Sequence, residues 1–272
     1  MTPTENSLRP VAGNHEGRVC SRRREPFPSW ERNRQLDAGL APRSWNHGIP
    51  PMPRFVVEGG HTLHGAIRPA GNKNAALPAI AATLLTEEEV VLQNVPRIRD
   101  VETLLELLNS LGVEVEWTGE NEARLRAAGM ENPAPDPALA ERIRASILLA
   151  GPLLARFGEV LLPPPRGDVI GRRRLDTHFL AFRALGASID LGEGFAIRSE
   201  ALSGAEMFLD EPSVTATENA IMASVTAPGH TRIRNAAAEP HVQDLCHLLN
   251  AMGGRILGIG THILDVEGVS EL

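Results

Sequence analysis

The chain contains one lysine, Lys73, among its 27 Lys and Arg residues. Lys73 lies in a glycine-led string, GNKNAALP at 71–78. An ammonium group is a compact charge with three rotatable donors and suits one oxygen or phosphate in a tight pocket, whereas guanidinium is planar. Because every other basic residue of this kind is an arginine, the single lysine indicates that position 73 needs an ammonium group. The alternative is a chance surface lysine in a genome whose base composition favours arginine codons.

A long loop with the sequence PPPRGDVIGRRRLDTH, at 163–178, carries a second group of candidate residues. Arg172, Arg173 and Arg174 lie at the predicted start of a helix, where backbone amides and the helix dipole favour an anion. Three adjacent arginines cannot share one face of a helix, so only one of them, Arg173, is expected to contact a phosphate. The alternative is a basic helix start exposed to solvent. Asp168 is a candidate proton donor if its pKa is raised well above about 3.9, or else a turn-forming residue.

Further candidate positions lie on predicted helices. Arg144 is expected to face inward on an otherwise apolar helix, where a guanidinium demands a carboxylate or phosphate partner. The string SVTAT at 213–217 offers hydroxyls and amides to an anion, although ordinary N-capping explains it equally well. Asp176 and His178 could both contact a base or sugar. In the alternative, Asp176 is a helix cap and His178 is a surface histidine.

Length, charge and cysteine usage limit the function classes. The chain has 272 residues, of which 42% are hydrophobic, and can bury a real core. Its net charge of −7 disfavours a nucleic-acid partner. Cys20 and Cys246 have neither metal-ligand nor disulfide spacing, which indicates a reducing cytoplasm and no metal. No segment approaches the roughly 18 apolar residues of a membrane span, and the N-terminus lacks the apolar core of a secretory signal.

The first 51 residues differ from the rest of the chain. They hold eight Arg, five acidic residues and scattered Pro without helical or strand periodicity, and we predict that they are disordered. They are either an upstream extension or the product of a start codon assigned too early, with an arginine-rich nucleic-acid arm as the functional alternative. Met52 opens the string MPRFVVEGG, where the folded domain is expected to begin.

From residue 54 onward the chain repeats a pattern of helix, strand, helix and strand pair three times. Amphipathic helices are predicted to end at Gly112, Gly186 and Gly253, each needing positive φ, and Asp100 is the predicted N-cap of the first. Upstream of each lies a helix of small apolar residues that should be buried at the centre; these helices are predicted at 74–85, 142–157 and 216–227. The pattern predicts one α/β domain with sheets outside.

Several strings in this order resemble the UDP-N-acetylglucosamine enolpyruvyl transferase family. They are GNKNAALP at 71–78, NVPRIRD at 94–100, RASI at 144–147, GPLLARFG at 151–158 and the loop around Asp168. The resemblance runs from about residue 54 to the end of the chain. It implies an inverse α/β barrel of three βαβαββ-type units around buried helices in each of two domains, with the active site between the domains and no cofactor.

The resemblance also implies a reaction and its residues. The family transfers the enolpyruvyl group of phosphoenolpyruvate to the 3-hydroxyl of UDP-N-acetylglucosamine, the first committed step of peptidoglycan synthesis. Asp168 and Lys73 would be catalytic, Lys73 and Asn74 would contact phosphoenolpyruvate, and Arg144 would help to bind substrate. The residues that would line the UDP-sugar site are Arg173, Arg174, Leu175, Asp176 and Thr177, joined near the diphosphate by Ser213, Val214 and Thr215.

Two departures from the family pattern carry further expectations. Most members have a cysteine, alkylated by fosfomycin, where Asp168 stands, so the full-length parent enzyme is expected to be resistant. The string DVEGVSEL at 265–272 matches the point where the family polypeptide leaves its first domain. Residues 52–272 are therefore expected to form domain I and the first strand of domain II, and the rest of domain II is expected to be absent unless a separate chain supplies it.

Without the second wall of the cleft, substrates would stay hydrated, so negligible transferase activity is predicted for this chain alone. Two alternatives have other functions. One is a non-catalytic nucleotide-sugar binding module that keeps Lys73, Arg144 and Arg173. The other is the shikimate-pathway enolpyruvyl transferase, which shares fold and chemistry but has different phosphate motifs.

Overall fold

The structure is a computed structural model that describes residues 56, 58–62, 64–130, 134–164, 174–192 and 194–272. Contacts divide the chain into two units, residues 1–64 and residues 65–272, and all helices and strands named below belong to the second. The predicted disorder of residues 1–51 lies outside the described residues. No helix in the described part of the chain is long and apolar enough to cross a membrane.

Three units repeat the predicted order of elements. The first contains α1 (Lys73–Ala82), a 3-10 turn (Thr83–Leu85), β1 (Glu89–Gln93), α2 (Arg99–Ser110), β2 (Glu114–Gly119) and β3 (Glu122–Arg126). The second contains a short α3 (Pro137–Ala140), a 3-10 helix (Arg144–Leu149), α4 (Ala150–Phe157), β4 (Glu159–Leu162), α5 (Asp176–Ala184), β5 (Ser188–Leu191) and β6 (Phe195–Arg198). The third contains β7 (Glu206–Phe208), α6 (Val214–Ser224), β8 (His230–Arg234), α7 (Pro240–Ala251), β9 (Arg255–Leu257) and β10 (Ile263–Glu267).

Each unit builds a sheet with the same topology. The second strand of the hairpin lies between the other two, in the orders β1-β3-β2, β4-β6-β5 and β8-β10-β9, and all these pairs are antiparallel. In the third unit β7 adds a parallel strand beside β8. The α/β fold class is therefore confirmed, and the full βαβαββ form is present in the third unit, while the described residues of the other two show αβαββ.

The ends of the amphipathic helices follow the predicted glycines. Gly112, Gly186 and Gly253 have φ of +93°, +97° and +110°, a region that side chains with a Cβ rarely adopt. The predicted N-cap of the first helix is wrong by two residues. Ile98 is the N-cap of α2, and Asp100 lies in the first turn, where the helix dipole also favours a carboxylate and where this carboxylate pairs with Lys73.

The helices of small residues form the centre of one hydrophobic core that spans all three units. Helix α6 packs against α4, α5 and α7, and α1 packs against α2 and α7. Every residue from Ala216 to Ser224 is buried, as predicted for a helix that is apolar nearly all round. The close approach of α4 to α6 needs Gly151, because a Cβ there would lie 2.7 Å from the Asn219 carbonyl oxygen.

Candidate functional site

One cleft of about 590 Å³ collects most of the predicted site residues. The predicted residues that line it are Lys73, Asn74, Arg144, Arg174, Leu175, His178, Ser213, Val214 and Thr215. Lys73, Arg144 and Val214 are the first residues of α1, the 3-10 helix before α4, and α6. The three central elements, one from each unit, therefore begin at the same cleft, and helix starts favour anions through their free amides and dipole.

Lys73 is held in this cleft by an ion pair. Its Nζ lies 2.8 Å from the Asp100 Oδ2, and the two side chains are 43% and 42% exposed. An exposed pair of this kind contributes about 0–1 kcal/mol to stability, so its main consequence is the position of the ammonium. Because an ammonium has three donors, Lys73 keeps hydrogens for a ligand while Asp100 accepts one.

The turn that carries Lys73 is fixed by Gly71 and Asn72. A Cβ on Gly71 would lie 1.8 Å from the Asn94 carbonyl oxygen, so only glycine allows this contact. Asn94 itself has a φ of +56°. The Asn72 side chain then caps α1 by accepting a 2.7 Å hydrogen bond from the Asn74 amide. The strings that begin at Gly71 and Asn94 are therefore packed together at the start of α1.

The basic loop is only partly within the described residues. Asp168 and Arg173 lie outside them, so their predicted roles stay predictions. Arg174 lines the cleft, and its guanidinium pairs with the Asp176 carboxylate.

Two predicted residues are not brought into the cleft. Asp176 is the first residue of α5 rather than its cap, and its carboxylate is paired with Arg174. Thr177 is buried, and its hydroxyl donates a 2.5 Å hydrogen bond to Asp210. Neither lines the cleft, so a UDP-sugar role for these two stays a prediction.

The start of α6 combines a cap with a second hydroxyl. Ser213 is the N-cap, and its Oγ accepts a hydrogen bond of 3.4 Å from the Ala216 amide. The Thr215 hydroxyl lies 3.2 Å from His178 Nε2. The N-capping alternative is therefore observed for Ser213, whereas Thr215 is held by a side chain from α5.

His178 is not a surface histidine, because only 2% of it is exposed. Burial, followed by the positive charge of Arg144, lowers the pKa of His178 to about 3. The imidazole is therefore neutral near pH 7. Its Nδ1 lies 3.1 Å from the Asn219 Nδ2, so its two nitrogens contact two residues of α6.

Glu218 is a buried carboxyl group in the wall of the cleft. It is 1% exposed, and its Oε1 has no hydrogen-bond partner within the described residues. Burial, followed by the negative charge of Glu239, raises the pKa of Glu218 to about 9. A carboxyl group with this pKa is protonated near neutral pH and can donate a hydrogen bond.

Several residues that line the cleft were not predicted from the sequence, namely Arg142, Glu211, Glu218, Glu239 and His241. A usable signal existed for Glu218, since it interrupts a run of small apolar residues as Arg144 does. No comparable signal marks the others. Among the residues that the structure describes, no cluster of three or more His, Cys, Asp or Glu side chains could hold a metal ion.

Three α/β units whose central helices begin at a cleft with lysine and arginine side chains define a domain suited to anionic substrates. The chain belongs to the EPSP synthase (3-phosphoshikimate 1-carboxyvinyltransferase) family, whose model matches residues 57–272. A solved structure of the enolpyruvyl transferase NikO from Streptomyces tendae matches 78% of this chain and 50% of its own, with a TM-score of 0.67 and 21% identity. EPSP synthase from Acinetobacter baumannii matches with a TM-score of 0.61 and 20% identity. At these identities the structures establish the fold.

Curated relatives are more similar in sequence. The UDP-N-acetylglucosamine 1-carboxyvinyltransferase of Bradyrhizobium diazoefficiens is 59% identical over 219 residues, which are 80% of this chain and 51% of the relative. The protein of the same name from Treponema pallidum is 57% identical over 221 residues, 81% of this chain and 52% of the relative. The chain thus spans about half the length of these curated relatives.

Proposed function

We propose that this chain forms one wall of an enolpyruvyl transferase site that binds UDP-N-acetylglucosamine and phosphoenolpyruvate. The observation that carries the proposal is the convergence of Lys73, Arg144 and the start of α6 on one cleft. The 59% identity to a UDP-N-acetylglucosamine 1-carboxyvinyltransferase supports the choice of substrates. The reaction serves peptidoglycan synthesis, and we place it in the cytoplasm, in keeping with the spacing of the two cysteines.

In the proposed reaction, the sugar 3-hydroxyl adds to C2 of phosphoenolpyruvate while C3 takes up a proton. The hydroxyl proton is released as the sugar oxygen bonds to C2. The tetrahedral intermediate then loses a proton from C3 and phosphate from C2, which restores the carbon–carbon double bond and leaves the enolpyruvyl ether and inorganic phosphate. Lys73 and Asn74 bind the phosphoenolpyruvate phosphate, and Arg144 binds substrate beside them. Cationic groups stabilise the negative charge that develops on the phosphate as it leaves, and Asp168 supplies the proton to C3.

The first test is binding by the 272-residue chain, measured by isothermal titration with phosphoenolpyruvate. Replacing Lys73 by Met should weaken binding about 10-fold or more, because a hydrogen bond to a charged group is lost. Lys73→Arg should also weaken binding, since the guanidinium cannot replace the compact ammonium. Arg183→Met, which changes an exposed cation outside the cleft, is the matched control. Equal affinities for all four proteins would contradict the proposal.

Turnover is a separate test. We expect negligible phosphate release from phosphoenolpyruvate and UDP-N-acetylglucosamine by the 272-residue chain, which spans about half the length of its relatives. Turnover by this chain alone would refute that part of the proposal. A reading frame that continues beyond codon 272 in the DNA would favour a transferase in which residues 52–272 form domain I and the first strand of domain II. Binding with neither such a frame nor a separately encoded second domain would favour the nucleotide-sugar binding module.

The substrate choice has its own control. Titration with shikimate 3-phosphate should give no binding, and binding of that ligand in preference to UDP-N-acetylglucosamine would favour the shikimate-pathway alternative.

The proposal also extends to fosfomycin, because an aspartate at position 168 lacks the thiol that the drug alkylates in most family members. A covalent fosfomycin adduct on this loop, seen by mass spectrometry, would contradict it.

A further inference from the structure

A buried side-chain amide interrupts the backbone ladder of the second central helix. The Asn219 Oδ1 accepts a 2.7 Å hydrogen bond from the Gly151 amide, and its Nδ2 donates a 2.9 Å bond to the Ile147 carbonyl. Those two backbone groups would bond each other in a continuous α-helix. The amide therefore lies where the 3-10 helix ends and α4 begins, and side-chain insertion of this kind is a known cause of a helix break.

The two backbone partners fix which way the Asn219 amide points. A swapped amide would place its NH₂ against the Gly151 N–H and its oxygen against the Ile147 carbonyl, losing both bonds. One Nδ2 hydrogen is used by Ile147, so the other is directed at the His178 Nδ1, 3.1 Å away. Nδ1 must then be an acceptor without a proton.

A neutral imidazole carries its single proton on the other nitrogen when Nδ1 accepts. His178 is buried, and its pKa is lowered, so the neutral form is the one present. Its Nε2–H therefore donates to the Thr215 Oγ1 at 3.2 Å. Within the described residues His178 is the only side-chain hydrogen-bond partner of this hydroxyl, which leaves the Thr215 hydroxyl hydrogen for a group in the cleft.

We propose that His178 is a positioning residue that fixes the Thr215 hydroxyl as a hydrogen-bond donor to an anionic oxygen of the bound ligand. The relay runs from Asn219 through His178 to Thr215, and Thr215 lines the cleft at the start of α6. A hydroxyl whose hydrogen is directed into the cleft, next to the amides at the start of α6, favours a phosphate oxygen as its partner. The identity of the ligand as a diphosphate sugar rests on the proposed function.

The experiment measures binding of UDP-N-acetylglucosamine and of inorganic pyrophosphate to the 272-residue chain. Thr215→Val removes the hydroxyl with little change of shape and should weaken binding of both ligands about 10-fold. Thr215→Ser keeps the hydroxyl and should bind within about 2-fold of the original chain. Equal affinities for the Val and Ser variants would overturn the proposal.

The positioning role is tested by a double-mutant cycle. His178→Asn keeps an acceptor toward Asn219 but removes the donor toward Thr215, and we expect it to weaken pyrophosphate binding about 3-fold. The same change made in the Thr215→Val background should have no further effect, because the hydroxyl that His178 orients is gone. An equal loss in both backgrounds would show a merely structural role and would overturn the proposal.

A spectroscopic measurement keeps the test decisive if His178→Asn fails to fold. Long-range ¹⁵N–¹H correlation of the imidazole should show a protonated Nε2 and a bare Nδ1 between pH 5 and 8, with no switch on ligand binding. A protonated Nδ1 would overturn the relay.

The two ligands separate this proposal from the proposed function. Thr215-dependent binding of pyrophosphate without binding of UDP-N-acetylglucosamine would refute the substrate and keep the relay. Binding of UDP-N-acetylglucosamine with equal affinity by the original chain and by Thr215→Val would support the proposed substrate and refute the relay. Failure of both ligands to bind the original chain would refute both.

Discussion

Glu218→Gln is expected to stabilise the protein, and the gain should grow with pH. The pKa of Glu218 is raised from 4.5 to about 9 by burial and by Glu239. Below pH 4.5 the carboxyl is protonated in both the folded and unfolded chain, and its full contribution to stability is present. As pH rises toward 9, the unfolded chain ionises while the folded chain does not, so that contribution is progressively lost.

The magnitude follows from the two pKa values. Each pH unit between them costs about 1.4 kcal/mol of folding free energy, so the cost reaches about 3 kcal/mol at pH 7. A glutamine at position 218 is neutral at every pH and carries none of it. We therefore expect nearly equal stabilities for the original and Gln proteins at pH 4.5, and a Gln protein more stable by about 3 kcal/mol at pH 7.

The assay is urea unfolding followed by circular dichroism at half-unit intervals from pH 4.5 to 8.5. Other groups titrate in this range, but the difference between the two proteins cancels them. Glu106→Gln, at an exposed position on α2, controls for loss of a carboxylate without burial. Parallel profiles for the original and Glu218→Gln proteins, or a less stable Gln protein at pH 7, would refute the reasoning.

Three other predictions concern the core. Gly151→Ala should destabilise the fold by about 1–3 kcal/mol in urea unfolding, because the added Cβ would lie 2.7 Å from the Asn219 carbonyl oxygen. Gly192→Ala is the control and should change the stability little, because an added Cβ there has nothing within 4 Å. The Cys246 thiol is buried, which raises its pKa to about 12, so iodoacetamide should label it only after unfolding. Rapid labelling of Cys246 in the folded chain, distinguished from Cys20 by peptide mapping, would contradict this. Burial lowers the pKa of His178 to about 3, so the original protein should lose stability as pH falls from 6.5 toward 3. His178→Gln should make this loss smaller, and an unchanged pH dependence of the free energy of unfolding in urea would count against the prediction.

The fold was predictable because its signals are local. Each amphipathic helix is followed by a glycine with positive φ, and each following strand alternates apolar and polar residues, so three repeats could be counted from the sequence. The break between the 3-10 helix and α4 was not predictable in this way. It is made by Asn219, a residue 68 positions from Gly151 in another repeat, and no local pattern in either segment announces the contact.

The candidate site was likewise predictable only where the signal is local. Residue type alone indicated Lys73 as an unusual ammonium and Arg144 as a charge on an apolar helix, and both lie in the cleft. The local capping rule misplaced Asp100, because an acidic residue is favourable both at the N-cap and in the first turn of a helix; the ion pair with Lys73, 27 residues away, has no local signal. For His178, sequence reasoning could not choose between a surface and a ligand role, since its burial depends on how α5 packs against α6.

The cleft separates groups that are charged from groups that are buried. Lys73 and Asp100 form their ion pair with both side chains more than 40% exposed, so neither charge is fully desolvated. His178 and Glu218 are almost fully buried, and their pKa values move in opposite directions, to about 3 and about 9. Both groups are therefore neutral at pH 7 and add no net charge. The charges that an anionic ligand meets are then those of the other cleft residues, the cations Lys73, Arg142, Arg144 and Arg174 and the carboxylates Asp100, Glu211 and Glu239. The helix starts add a positive field, and His178 contributes a directed hydrogen bond to Thr215.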